Sequence, residues 1–493
     1  MKRILGLVIA GMLLASGSSR ASLLEIPVPE SPVVVIRILV NAGSMDDPAG
    51  KEGLCRLAME AAADGGTQTL TRSELMDLFY PMDASVDLFV DRETSVFTGR
   101  IRREDLAEFF PIFWDRVFHP RFAEEDFARA KERALSSLQN DLCGADDESL
   151  GKEVLQALIF EGTAYAHPSI GTAAGLTSID VAAVRDFHRR VMTGDRVEVG
   201  IAGGYDSAFA EHVRKEIDGL PEGAGLEVRP SIIAPPIHGL EVLLIDKPAR
   251  STAISLGFPH DVRRGDPDYW PLYLALTALG EHRTFLGRLQ REMRSERGLN
   301  YGDYAYLDHF EQDSRSRLAR PTIWRRAPHL SIWIRPVQPK NGLFALRMAI
   351  WELRTLIANG LTQSEFETTR EHLRNVSQLS GQTLARRLGL AMEDAHFNDP
   401  DGLASFRLAL DRMTLEQING ALARRLTGTN LKAVLVCDHA DSLRSLLDAG
   451  TPTPIVYSGG DAPSSVKEID TVIAGLPLDV GSVRVVAAKE MFR

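Results

Sequence analysis

The sequence predicts an α+β protein made of two homologous halves, each an antiparallel sheet with helices packed on one face. Three observations carry this prediction: an internal repeat, the alternation of apolar strands with long amphipathic helices, and a proline-rich segment near the middle of the chain. The chain has 493 residues, a length that corresponds to roughly two to four domains. A hydrophobic content of 44% is ordinary for a globular protein and supplies enough apolar side chains for sizeable cores.

The internal repeat relates the two halves. An acidic residue followed by phenylalanine occurs in a helix at Asp126 and again, in the second half of the chain, at Glu365. Upstream, Trp114 and Trp351 each lie in an apolar helix and are separated by nearly the same length of chain. A further pair, a strand and an Asp-Pro dipeptide before a helix, has a shorter offset and is weaker. Matches in the same order at nearly equal offsets indicate duplication of one α+β unit.

A helix followed by a strand also occurs twice, at an offset close to that of the phenylalanine helices. Ser178 opens the first of these helices and Thr414 the second, and both are residue types that cap helix N-termini. Apolar runs and amphipathic periodicity predict the remaining elements. The predicted strands include residues 33–40, 86–90, 95–100, 197–202, 240–245, 431–436 and 483–487, and the predicted helices include 103–118, 286–293 and 341–358.

The repeat and the prolines together divide the chain. Prolines at positions 230, 235 and 236 predict an extended linker between the halves. The predicted organisation is a signal peptide at residues 1–21, a first half at 22–228, a linker at 229–238, a second half at 239–450 and a C-terminal tail at 451–493.

The N-terminus has the features of a secretory signal peptide. Lys2 and Arg3 precede an apolar run at residues 4–15, and a small-x-small sequence ends at Ala21. The apolar run is shorter than the ~20 residues that span a bilayer, so we expect cleavage after export rather than a membrane anchor. The net charge of −11 argues against a nucleic-acid partner. The sequence therefore predicts an exported protein, periplasmic or secreted, with no stable membrane span.

The three cysteines give little information about function. Cys55, Cys143 and Cys437 are far apart in the chain and have no metal-binding spacing. The residues alone leave open whether two of them form a disulfide, although Cys437 lies in an apolar strand where burial explains it.

Residues 43–67 carry the most informative motif. They resemble the active-site helix of insulinase/pitrilysin-type zinc peptidases (inverzincins), in which a His-x-x-Glu-His block supplies two zinc ligands and a base. In this alignment Arg56 replaces the first histidine, Met59 the glutamate and Glu60 the second histidine. Arginine stays protonated and cannot ligate zinc, and methionine cannot act as a base. The family's third ligand, a downstream glutamate, falls near positions 136–139, where there is no carboxylate.

A second segment, from Arg294 to Tyr301, resembles part of the C-terminal half of the same family. There an arginine and a tyrosine seven residues apart bind the peptide carbonyl and the developing oxyanion, a role that suits two hydrogen-bond donors. Arg294 and Tyr301 have this spacing, and Gly298 fixes the register. The alternative is that Arg294 is a solvated cation at a helix end and Tyr301 packs on its neighbours. A loop at His167 also resembles the family's His-Pro loop, and we expect this histidine to pack the loop rather than bind metal.

The resemblance covers almost the whole chain after the signal peptide and implies a duplicated metallopeptidase-like sandwich. Exported bacterial members of this length often work in pairs, in which one subunit supplies zinc and base and the other supplies the Arg/Tyr pair. The resemblance thus implies a non-catalytic subunit without a cofactor of its own, which forms a heterodimer with a homologous zinc-bearing subunit and acts on peptides. The alternatives are a peptide-binding or scaffold protein without peptidase activity and, least supported by the ligand positions, a stand-alone zinc metallopeptidase.

Overall fold

The computed structural model describes residues 22–223, 229, 231–313, 316–459 and 462–493, so the predicted signal peptide lies outside the described residues. Two sheets with helices packed against them form the α+β architecture that the sequence predicts. The strands are β1 (Ser22–Pro27), β2 (Val33–Val40), β3 (Ser85–Val90), β4 (Ser95–Arg102), β5 (Val197–Gly203), β6 (Leu240–Asp246), β7 (Thr252–Pro259), β8 (Asp303–Tyr306), β9 (His329–Val337), β10 (Leu431–Cys437) and β11 (Val480–Ala487).

The α-helices follow the amphipathic segments of the sequence. They are α1 (Leu54–Asp64), α2 (Arg72–Met82), α3 (Leu106–Phe118), α4 (Glu124–Ser136), α5 (Asp147–Ile159), α6 (Ala173–Ser178), α7 (Val181–Val191), α8 (Ser207–Asp218), α9 (Tyr269–Leu279), α10 (Gly342–Asn359), α11 (Gln363–Leu379), α12 (Leu384–His396), α13 (Gly402–Arg412), α14 (Leu415–Arg425), α15 (Ala440–Asp448) and α16 (Ser464–Ala474). Short 3₁₀ turns (Ser44–Asp46, Arg103–Asp105, Pro339–Asn341 and Ala488–Glu490) and π-helical segments (Ser137–Ala145 and Gln290–Ser295) complete the helical structure.

Both sheets are mainly antiparallel, with parallel pairing at one end. The first sheet has the order β1-β5-β2-β4-β3, and β1 lies parallel to β5. The second has the order β11-β6-β10-β7-β9-β8, and β6 lies parallel to both of its neighbours. These parallel pairs depart from the antiparallel sheets that the sequence predicts, and period-two alternation could not reveal them because it does not report strand direction. The strand of the predicted tail, β11, is thus an edge strand of the second sheet.

Local details differ from the prediction at several helix starts. Asp180, not Ser178, caps α7, because its carboxylate accepts the Ala183 N–H at 2.8 Å while Ser178 is the last residue of α6. Thr414 caps α14 as expected and forms a capping box with Gln417. The helix predicted at residues 286–293 starts two residues later and continues into the π-helical segment that ends at Ser295.

One helix of each half packs on the sheet of the other half. Helix α5 lies against β7 and β10 of the second sheet, and α12 lies against β2 and β5 of the first. On the first sheet, Leu388 and Met392 of α12 pack with Val35, Leu39 and Ala202, among others. We call α5 and α12 the exchanged helices.

Glycine marks the close approach of each exchanged helix. A Cβ at Gly151 of α5 would lie 3.2 Å from Ser255 Oγ of β7, and a Cβ at Gly389 of α12 would lie 2.0 Å from an Nη of Arg37 in β2. Each glycine follows a leucine, and their separation along the chain matches the offset of the other repeated pairs, so they belong to the internal repeat. The two halves are therefore interlocked through equivalent helices.

The connection between β8 and β9 adds polar contacts across the halves. Arg325 donates to both carboxylate oxygens of Asp91, at 2.9 and 2.6 Å, and also to the side-chain oxygen of Gln156. The neighbouring Arg326 contacts Glu93 at 2.8 Å. Asp91 and Glu93 lie in the turn between β3 and β4, so this connection binds the first sheet directly to the second half.

Cys55, Cys143 and Cys437 are unpaired and buried. Within the described ranges, which leave out residues 1–21, no helix has the length and apolar character needed to cross a membrane.

Candidate functional site

Helix α1 carries the degenerate zinc block at a well-defined position. Gly53, with φ of +104°, precedes the helix, and the Asp47 carboxylate accepts the N–H groups of Gly53 at 2.7 Å and Cys55 at 2.6 Å. Two unsatisfied donors at the helix N-terminus are thereby paired, which fixes where the helix begins. The start of α1 therefore fixes the positions of Arg56, Met59 and Glu60 along the helix.

An ion pair occupies the ligand positions themselves. Arg56 Nε donates to Glu60 Oε1 at 2.6 Å, one helical turn away, and both side chains are partly exposed. Met59 points inward and is fully buried in the core of the first half. The base position therefore serves packing, and the two ligand positions neutralise each other.

The cavity beside this ion pair holds further charged groups that the sequence analysis missed. It measures about 350 Å³ and is lined by residues of α1, β3 and α5, by the loop after His167, and by His309 and Glu311 of the second half. Its carboxylates Asp91 and Glu153 already bind arginines, since Glu153 accepts from Arg92 at 2.6 Å and Asp91 from Arg325. No local motif signals these pairs, because their partners are distant in the sequence.

The pKa shifts of the titratable groups in the cavity agree with these ion pairs. Burial opposes ionisation of Asp91, but the Arg325 guanidinium holds the pKa of that carboxyl well below its usual range. Burial, together with the nearby cation of Arg325, lowers the pKa of His309 to about 3, so its imidazole is neutral. Burial and the carboxylates of Glu153 and Asp91 raise the pKa of Glu311.

These residues do not fit zinc. A tetrahedral zinc site takes three or four neutral or anionic donors, but here a guanidinium stands at one ligand position and is tied to the carboxylate at the other. Among the residues that the structure describes, no three His, Cys, Asp or Glu side chains are grouped so that they could hold a metal ion. The expectation that this chain carries no zinc stays a prediction for metal analysis.

His167 lies in the loop beside this cavity. Its Nδ1 is 3.1 Å from the Pro168 carbonyl oxygen, and burial lowers its pKa. Gly171, with φ of +95°, allows the turn to approach α1, since a Cβ there would lie 2.2 Å from the Glu52 carbonyl oxygen. The position of His167 agrees with a role in loop packing.

Four arginines follow one another around the π-helical segment of the second half, and three of them bind partners within the chain. Arg288 pairs with Glu365 at 2.7 Å, and Arg291 with Glu292 at 2.9 Å. The Arg297 side chain is completely buried and binds Asp470 at 2.6 Å. The Arg294 side chain makes no hydrogen bond or ion pair with any residue that the structure describes. Its guanidinium therefore keeps all of its N–H donors for an external acceptor.

Arg294 and Tyr301 lie side by side at the surface. The Arg294 Cζ is 5.6 Å from the centre of the Tyr301 ring, and Tyr301 is 79% exposed. Gly298, with φ of +62°, reverses the chain between them, and its N–H donates to the Arg294 carbonyl at 2.8 Å. Asn300 anchors the turn from below, through Asp303 at 2.6 Å and the Arg335 carbonyl at 2.9 Å.

The structure keeps the two sequence-predicted sites of this chain apart. The cavity beside Arg56 and Glu60 receives His309 and Glu311 from the second half, but its walls do not include Arg294 or Tyr301. The Arg/Tyr pair instead faces outward with unshared donors, and the zinc-motif positions Arg56, Met59 and Glu60 provide neither a free ligand nor a base.

Comparisons with known proteins agree with this architecture. The family model described as insulinase (peptidase family M16) matches residues 26–172, and the model described as the peptidase M16 inactive domain matches residues 178–320. Relatives include proteins named uncharacterized zinc proteases. The one from Bacillus subtilis is 22% identical over 397 residues, which is 80% of this chain and 90% of the relative. The one from Mycobacterium tuberculosis strain H37Rv is 23% identical over 414 residues, 83% of this chain and 89% of the relative.

Solved structures share the fold. A peptidase M16 inactive domain from Pseudomonas fluorescens superposes with a TM-score of 0.74 at 22% identity, covering 86% of this chain and 97% of that chain. A putative M16-like peptidase from Alicyclobacillus acidocaldarius gives a TM-score of 0.66 at 14% identity, covering 85% and 96%. With both family models matched in order and the two-sheet fold shared, the chain belongs to the insulinase family, peptidase family M16.

Proposed function

We propose that this chain is the non-catalytic subunit of a two-chain metallopeptidase and pairs with a homologous zinc-bearing subunit. The observation that carries the proposal is the unshared guanidinium of Arg294 beside the exposed Tyr301, in a chain whose own ligand positions are neutralised by the pair between Arg56 and Glu60. Zinc in the partner would activate the water that attacks the peptide bond. Arg294 and Tyr301 would donate hydrogen bonds to the peptide carbonyl oxygen as it gains negative charge.

The interlocked halves support a role between chains rather than within one chain. The exchanged helices α5 and α12, and the contacts of Arg325 with Asp91, hold the second half against the first. The Arg/Tyr pair could reach the cavity beside Arg56 only if the packing of the exchanged helices and the contacts of Arg325 with Asp91 were broken. Its donors therefore suit a site that another chain presents.

We also propose that the complex degrades or processes peptides outside the cytoplasm, in the periplasm. The support is the signal-peptide pattern of residues 1–21. Detection of the cleaved chain in the periplasmic fraction of its host tests this part of the proposal, and a chain that stays cytoplasmic and uncleaved would contradict it.

Association is the first experiment. The tagged chain, produced in its own host, should co-purify with a homologue that carries an intact His-x-x-Glu-His motif, and the two purified chains should elute together in size exclusion. Only the pair should cleave peptides. A chain that stays monomeric with every such homologue would instead favour a scaffold or peptide-binding role.

Substitution is the second experiment. Arg294→Ala removes the guanidinium and Tyr301→Phe removes the hydroxyl, and loss of one such donor group costs on the order of a hundredfold in turnover. Folding and pairing should be unchanged, because both side chains lie at the surface. Arg291→Ala is the matched control, since Arg291 is an exposed arginine of the same segment that already binds Glu292. Equal activity of the Arg291 and Arg294 variants would refute the assignment.

A further inference from the structure

Phe285 is an exposed aromatic residue that contacts the guanidinium of Arg294, the arginine of the Arg/Tyr pair. Its side chain is 78% exposed, and the Arg294 Cζ lies 5.2 Å from its ring centre, compared with 5.6 Å for the ring of Tyr301. Arg294 is thus the shared cation of two aromatic rings. An exposed phenylalanine adds little to the hydrophobic core, so stability does not account for its position.

The loop that presents Phe285 is fixed on its buried side. His282 is buried and bonds to the Tyr306 hydroxyl at 2.7 Å, and the Thr284 hydroxyl donates to the Glu281 carbonyl at 3.3 Å. Gly287, with φ of +105°, then turns the chain into the helix that carries Arg294. Phe285 therefore lies on an anchored loop that places its ring next to the guanidinium.

Contact with aromatic rings leaves the donors of an arginine available. A cation–π contact uses the face of the guanidinium, whereas its N–H groups point outward in the plane. An arginine side chain otherwise samples many rotamers, and ordering it at the moment of binding costs free energy. Two rings that restrain Arg294 beforehand would lower this cost while keeping its donor edge free.

We propose that Phe285 is a positioning residue of the Arg/Tyr site, which holds the Arg294 guanidinium ready for the peptide carbonyl oxygen. This inference rests on the proposed function, because the positioned donor acts on a peptide bound by the partner subunit. It adds a residue that lies outside the spacing motif of Arg294 and Tyr301. The role requires an aromatic face at position 285, not merely an apolar side chain.

The kinetic test uses the assembled pair of subunits. Phe285→Ala should lower kcat roughly twofold to fivefold with little change in KM, as expected for loss of a cation–π contact at an exposed site. Phe285→Trp should keep kcat near the wild-type value, because tryptophan has an aromatic face. Phe285→Leu should lower kcat as Phe285→Ala does. Leu286→Ala is the matched control, because Leu286 is the next residue and is also exposed (46%); it should behave as wild type.

A second measurement needs neither partner nor activity. In the isolated chain with isotope-labelled arginine, the ring currents of both aromatic residues should shift the Arg294 side-chain NMR signals upfield. Phe285→Ala should remove part of that shift and Phe285→Trp should keep it. An unchanged signal in Phe285→Ala would overturn the contact itself.

The outcomes separate this inference from the proposed function. If Arg294→Ala loses activity while Phe285→Ala keeps it, the positioning role fails and the proposed function stands. If Phe285→Leu has the same kcat as Phe285→Trp, the requirement for an aromatic face is refuted. If the assembled subunits keep full activity with Arg294→Ala, both the positioning role of Phe285 and the proposed function are refuted.

Discussion

Arg325→Met should destabilise the chain strongly, since it breaks the buried ion pair that joins the two halves. The Arg325 side chain has no exposed surface, and it donates to Asp91 twice and to Gln156 once. Methionine keeps the apolar stem of the side chain but leaves Asp91 buried and without its cation. His309 does not replace that cation, because it is 3.8 Å away and its pKa is lowered to about 3. Arg92 also lies near Asp91 but is paired with Glu153. Breaking a buried pair in this way costs about 3–5 kcal/mol.

A double-mutant cycle measures this interaction. Asp91→Asn in the Arg325→Met background removes the unpaired charge, so the double variant should be more stable than Arg325→Met alone. Urea unfolding followed by circular dichroism gives the four free energies of unfolding, and the coupling energy should exceed about 2 kcal/mol. Additive effects, or a loss for Arg325→Met far below the cost of a broken buried pair, would refute the reasoning.

The pH dependence of the same pair has a definite sign. Arg325 depresses the pKa of Asp91 in the folded chain, so the pair stabilises the fold above the ordinary carboxyl pKa near 4. That stability is lost as the pH falls below about 4 towards the folded-state pKa. The stability difference between wild type and Arg325→Met should therefore be largest near neutral pH and shrink in acid.

Three further predictions concern the metal, a buried carboxyl and an exchanged helix. Elemental analysis of the purified chain should find no stoichiometric zinc, and one tightly held zinc per chain would contradict this. Burial raises the pKa of Asp303 to about 8 despite its bond to Asn300. Between about pH 4 and 8 this carboxyl therefore ionises in the unfolded chain but stays protonated in the folded chain, and stability falls as the pH rises through that range. Asp303→Asn should therefore gain thermal stability over wild type across that range, and a constant difference would contradict the raised pKa. Gly389→Ala should lower stability by about 1–3 kcal/mol in thermal or urea unfolding, because the new Cβ meets the ring of Pro321 at 2.5 Å as well as the guanidinium of Arg37. Gly381→Ala, where a Cβ meets only Arg387 Cγ at 3.4 Å, is its control, and equal losses would refute the packing argument.

The local elements of the fold follow from sequence because their causes are local. The periodicity of α10 and the apolar run of β6 give their bounds to within one residue, and Thr414 caps α14 as its residue type indicates. Strand direction and the partner of each helix depend on distant residues instead. The parallel pairing of β11 with β6 left no local signal for that reason.

The exchanged helices left a signal that could have been found. The dipeptides at Leu150–Gly151 and Leu388–Gly389 occupy equivalent positions in the two halves, in phase with the rest of the repeat. A glycine inside an amphipathic helix indicates close packing against another element. It does not identify that element, so the exchange itself needed the structure.

Some features of the candidate site follow from the sequence, and others depend on residues far apart in the chain. The spacing of Arg294 and Tyr301 is a sequence property, and the structure places them together. The sequence could not distinguish Arg294 from Arg297, because the partner that buries Arg297 is Asp470, far along the chain. The sequence does not predict a role for Phe285, because it lies outside the motif.

The exchanged helices also set the order in which the chain can complete its fold. The face of the first sheet that carries Val35 and Leu39 stays uncovered until α12 exists, and α5 has no sheet to lie on until β7 and β10 have formed. Residues 22–228 alone would thus expose apolar surface on both the sheet and the helix. Contacts so distant in sequence form slowly and leave partly folded chains prone to aggregation. A chain that emerges from its N-terminus during synthesis would remain incompletely folded until β10, in the last quarter of the sequence, had been made.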